Sequence, residues 1–65
     1  MKVREVIRML ESAGWILVRT RGSHRQFRHP KRSGGVTVAG KSGLDVPVGT
    51  LKSILKQTGM QERLP

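Results

Sequence analysis

Val3, Val6, Ile7 and Leu10 recur at the i, i+3, i+4, i+7 spacing of one helical face, while Arg4, Glu5, Arg8 and Glu11 fall mainly on the other. The pattern predicts an amphipathic helix from Val3 to Ala13. Gly14 is its stop, because glycine accepts the left-handed conformation that closes a helix. The period then changes. Trp15 to Thr20 is rich in β-branched and aromatic residues between two glycines, which predicts a strand. Both of its parities are apolar, so alternation alone leaves open which side meets a core. Trp15, directly after the helix stop, reads as core packing rather than as a base-stacking platform.

Gly22-Ser23 predicts a chain reversal, and His24 to His29 a second strand antiparallel to the first. Alternation puts Arg25, Phe27 and His29 on one face and His24, Gln26 and Arg28 on the other. If Phe27 anchors the core, His24 and Arg28 look outward unless a bulge intervenes. Pro30 ends the strand, and Lys31-Arg32-Ser33-Gly34-Gly35 reads as a flexible basic loop that can move toward phosphates. Val36-Thr37-Val38 is a third strand with its valines inward.

Ala39-Gly40-Lys41-Ser42-Gly43 is a loop with a usable lysine. It is not a Walker A loop, which needs a glycine four residues before Gly-Lys-Ser without an intervening strand. Asp45 is expected to cap a second helix, with Pro47 in its first turn. Leu51, Ile54 and Leu55 form its apolar stripe, Lys52 and Lys56 lie outside, and Gly59 closes it. Met60 then folds back, and Gln61 to Pro65 is expected to be a loose tail. The predicted fold class is α+β in the order helix, three-stranded antiparallel sheet, helix, with both helices on one sheet face.

Composition narrows the function. At 65 residues the chain is expected to be one small domain, with a thin core. It has no cysteine, so neither disulfides nor thiolate-held zinc reinforce it, and a reducing cytoplasmic setting fits. Trp15-Ile16-Leu17-Val18 is the longest apolar run, far short of the roughly 20 residues that span a bilayer, so no membrane role is expected. Thirteen Lys and Arg face four Asp and Glu, a formal charge of +9 that attracts polyanions. Ser12 to Leu44 contains no acid at all, which centres the positive field on the middle of the chain.

The densest chemistry lies in Arg19-Thr20-Arg21-Gly22-Ser23-His24-Arg25-Gln26-Phe27-Arg28-His29-Pro30, which holds both histidines. An imidazole among guanidiniums points to a phosphate-bearing partner. RNA cleavage without a metal needs a base for the 2′-hydroxyl, an acid for the leaving 5′-oxygen and positive charge on the phosphate. Histidine, with a reference pKa of about 6.5, suits both proton transfers. No metal-ligand spacing is visible, since two histidines and Asp45 make no recognised set, and no cofactor is expected. His29, before Pro30 at a strand end, reads as structural or solvent-exposed more than as a second proton donor.

Val6 to Trp15, Arg19-Thr20-Arg21-Gly22-Ser23-His24, Phe27-Arg28-His29-Pro30, and the run from Gly49 to Gly59 resemble the HicA family, the toxin half of HicA/HicB toxin-antitoxin pairs. The resemblance covers nearly the whole chain in register. It implies a double-stranded-RNA-binding-domain-like fold, cleavage of messenger RNA, and neutralisation by a cognate HicB-like antitoxin. The family's catalytic histidine carries over onto His24. Many relatives have a histidine within the stretch that here reads Val38-Ala39-Gly40-Lys41, where this chain has Ala39, so any role of that second histidine is absent or moved.

The expected function is thus an endoribonuclease toxin with His24 as general acid or base. Arg21, Ser23, Arg25, Arg28, Lys31, Arg32 and Lys41 are the candidates for holding RNA. The competing expectation is a non-catalytic module for double-stranded RNA on the same basic face. DNA binding ranks below both, since neither helix carries the base-reading polar residues of a recognition helix. An inhibitor that buries this face is expected to be locally acidic there.

Overall fold

The computed structural model describes residues 1–61 and is built in the predicted order: α1 (Val3–Ser12), β1 (Ile16–Arg21), β2 (His24–His29), β3 (Arg32–Val38) and α2 (Val48–Thr58). Of the tail expected from Gln61 to Pro65, residues 62–65 lie outside the described residues. The three strands form one antiparallel sheet in the order β1-β2-β3, so β2 is central and the other two are edges.

Helix α1 begins where the Glu5 carboxylate accepts the Lys2 backbone N–H at 2.7 Å, occupying a donor that the first turn would leave free. It stops at Gly14, whose φ of 94° turns the chain toward the sheet. Helix α2 ends in the same way at Gly59, with φ 73°, and the Met60 N–H returns to the Leu55 carbonyl at 2.9 Å, which buries Met60.

Both helices turn their apolar stripes onto one side of the sheet. Val3, Val6 and Leu10 from α1 and Leu51, Ile54 and Leu55 from α2 close over Trp15, Phe27, Val36 and Val38. Phe27 on the central strand has no exposed surface at all. Each fully buried side chain of this size contributes about 1.5–3 kcal/mol relative to an exposed one. Among the described residues, no element packs on the opposite side of the sheet.

Two expectations need correction. The basic loop from Lys31 to Gly35 is mostly strand: only Pro30 and Lys31 turn, and β3 begins at Arg32, which pairs with His29, while Gly35 pairs with Arg28. This part of β3 lacks apolar residues, and its order comes from the ladder with β2 rather than from its own propensity. Asp45 does not cap α2, whose N-cap is Pro47 without a side-chain bond. Asp45 instead bridges to Lys2, with Nζ to Oδ1 at 3.4 Å, where the segments before the two helices run side by side.

Candidate nucleic-acid interface

The uncovered sheet face is set by a bulge in β1. Leu17 pairs with Phe27, yet the next paired residue is Arg19, opposite Gln26; Val18 is the additional residue. Strict alternation would have put Arg19 and Arg21 on the same side as Leu17, and therefore toward the helices. The inserted residue reverses the parity. Arg19 now stands across from Gln26 and Arg21 across from His24, both on the uncovered side.

On the central strand the alternation is regular. His24, Gln26 and Arg28 are exposed, Phe27 is buried, and Arg25 and His29 are half-buried on the helix side. On β3, Thr37 is exposed between the buried Val36 and Val38 and pairs with Gln26. Arg19, Arg21, His24, Gln26 and Thr37 thereby line one shallow cleft of about 210 Å³. A second hollow adjoins it, bordered by Gln26, Arg28, Gly35 and Thr37, where Gly35 presents no side chain opposite Arg28. Both aromatic residues of the chain, Trp15 and Phe27, are buried, so this face offers charge and hydrogen bonds but no aromatic stacking surface.

The sequence-derived candidates separate into groups. His24, Arg21 and Arg28 share the uncovered face. Ser23 is half-buried in the turn, where its carbonyl accepts the Gly40 N–H at 3.2 Å and ties the β1–β2 turn to the loop after β3. Arg25 lies on the helix side and its Nη1 donates to the Gly40 carbonyl at 3.4 Å. Lys41 follows in that same loop. Lys31 and Arg32 are at the far end of the sheet, and the Arg32 guanidinium covers Gly59, 3.1 Å from where a Cβ would stand. A cation there complements the carbonyl end of α2.

Arg19, Gln26 and Thr37 were absent from the sequence-derived set. Gln26 and Thr37 had a readable signal, since each alternates with a core residue. Arg19 had only its charge and its place at the head of the arginine-rich run, because the bulge that turns it outward leaves no trace in residue type.

The two histidines occupy opposite faces at opposite ends of β2, about 17 Å apart along the strand. His29 is fully engaged. Its Nδ1 accepts the Lys31 backbone N–H at 3.0 Å, which leaves the ring proton on Nε2 to donate to the Ala13 carbonyl, also at 3.0 Å. Trp15 meets the ring edge-on, with centroids 5.3 Å apart. His29 thus fastens the end of α1 to the β2–β3 turn. His24 is exposed, flanked by two arginines.

Among the described residues, no three His, Cys, Asp or Glu side chains come together, and no helix is long and apolar enough to cross a membrane. No curated protein matches the chain. The family model of the HicA toxin of bacterial toxin-antitoxin systems matches residues 3–60, a span that takes in both helices, the whole sheet and the turn carrying His24. The chain belongs to the HicA toxin family.

Proposed function

We propose that this toxin is an endoribonuclease that cleaves messenger RNA on the uncovered sheet face, with His24 as the proton-transfer group. The observation that carries the reading is the pairing of an exposed His24 with Arg21 directly across the strand and Arg19 in the same cleft. In the reaction, the 2′-hydroxyl oxygen attacks phosphorus as His24 takes its proton. The P–O5′ bond breaks, and the 5′-oxygen receives a proton from the imidazolium so formed. The products are a 2′,3′-cyclic phosphate and a 5′-hydroxyl end. Arg21 and Arg28 hold the phosphates and offset the charge that gathers on the transition state, and Arg19 adds to the positive field of the same cleft. This moves the phosphate role off Arg25, Arg32 and Lys41, two of which are engaged elsewhere in the fold.

A histidine acting this way contributes about 10²–10⁴-fold to the rate. Purified protein and its His24→Ala variant, incubated with messenger RNA in excess chelator and followed by end mapping, test the reading. Cleavage by the parent alone, with 5′-hydroxyl ends, is expected; equal cleavage by the variant overturns it. The non-catalytic alternative predicts retention of double-stranded RNA without new ends in either sample.

Family membership implies a HicB-type antitoxin as partner. With no acid between Ser12 and Leu44, the surface it meets is best complemented by carboxylates that compete with RNA for Arg19, Arg21 and Arg28. An antitoxin that neutralised the toxin without an acidic patch over His24 would contradict that.

A further inference from the structure

The geometry points to a purine-reading subsite formed by Gln26, Arg19 and Thr37, one position along the sheet from His24. The inference rests on the nuclease reading and adds to it the source of cleavage preference.

The three residues form one cross-strand row: Arg19 pairs with Gln26, and Gln26 pairs with Thr37. Along β2 the exposed positions are His24, Gln26 and Arg28, spaced about 6.8 Å apart, close to the step of an extended nucleotide strand. A phosphate at His24 therefore brings the neighbouring nucleotide over Gln26 and the phosphate two steps along to Arg28. Gln26 and Thr37 border both hollows of this face, so a base entering either one meets their polar groups.

The chemistry of the row favours a purine. A glutamine amide offers a donor and an acceptor side by side, which match N6 and N7 of adenine, and a guanidinium offers paired donors, which match O6 and N7 of guanine. Both use N7, which pyrimidines lack. Because the face has no stacking aromatic, discrimination must come from these hydrogen bonds, and single-stranded RNA presents the base edges they need. Gly35 supplies the room. A Cβ there would meet only the Phe27 carbonyl, at 3.4 Å, so the hollow is open because the residue is glycine and not because the backbone demands it.

The test uses the full chain on a random-sequence single-stranded RNA pool, with ends sequenced for the parent, Gln26→Leu, Gly35→Val and His24→Ala. The parent is expected to prefer a purine beside the cut by roughly tenfold. Gln26→Leu should flatten that preference. Gly35→Val should fold as the parent does, judged by its melting curve, yet cut more slowly. A parent without base preference, or a Gln26→Leu variant with the parent's preference while His24→Ala is silent, overturns the subsite and leaves the nuclease reading standing. Cleavage by His24→Ala at the parent's rate overturns the nuclease reading and the subsite with it.

Discussion

The two faces of this sheet are made by the same three strands and obey opposite rules. On the helix side the central strand and the end of β3 are committed: Phe27, Val36 and Val38 are buried, Arg25 bonds the Gly40 carbonyl, and both nitrogens of His29 are occupied. On the other side Arg19, Arg21, His24, Gln26, Arg28 and Thr37 are exposed. The contrast teaches that a 65-residue chain with a thin core can hold a cationic surface by confining its packing to one side of the sheet. Edge strand β1 marks the division. Its Ile16, Leu17 and Val18 are 57%, 45% and 55% exposed, so this strand is held by its ladder with β2 rather than by burial.

The largest stability effect should come from the committed side. Phe27→Ala removes the central side chain of the core and is expected to cost about 3–5 kcal/mol, enough to leave so small a domain largely unfolded in a denaturant titration. A variant that melted like the parent would break the division between the faces.

Gly14→Ala should rank next. Its Cβ would lie 2.9 Å from His29 Nε2 at a φ of 94°, so the substitution strains the backbone by about 1–2 kcal/mol and displaces the ring as well. A lowered melting temperature with the cleavage pattern unchanged is the expected outcome.

Arg28→Ala should have the smallest effect on stability, within about 0.5 kcal/mol, because the residue is exposed and outside the core. It should weaken RNA binding and reduce the salt slope of the affinity by about one unit. A variant that lost stability but kept its salt slope would place Arg28 with the core. Deleting Val18 sharpens the comparison further. Without the inserted residue, Leu17 and Arg19 still meet Phe27 and Gln26, so RNA binding should survive the loss of an entire strand position.

Much of this was legible in residue spacing. The helices follow from their apolar stripes, and the central strand from its alternation, which also assigned His24 and Arg28 to the outside. The same alternation put Arg25 with Phe27, so its place on the helix side was readable even though charge alone suggested an RNA contact. Three features were hidden for physical reasons. The bulge at Val18 depends on how β1 meets its neighbour, and local sequence carries no record of that meeting. The early part of β3 is strand only because β2 supplies its hydrogen bonds, against the preference of its glycines. Asp45 had the residue type of a cap, but the nearby Lys2 ammonium engages it in the folded chain.

The most direct test of the account compares the two histidines. His24→Ala and His29→Ala are each measured for melting temperature and for single-turnover cleavage of one RNA, at a temperature where both are folded. A crossed result is expected. His24→Ala melts with the parent and cuts at least about 100-fold more slowly, whereas His29→Ala loses about 1–3 kcal/mol of stability by leaving the half-buried Ala13 carbonyl without its partner and still cuts. Cleavage by His24→Ala at the parental rate, or loss of cleavage in a folded His29→Ala, would contradict it.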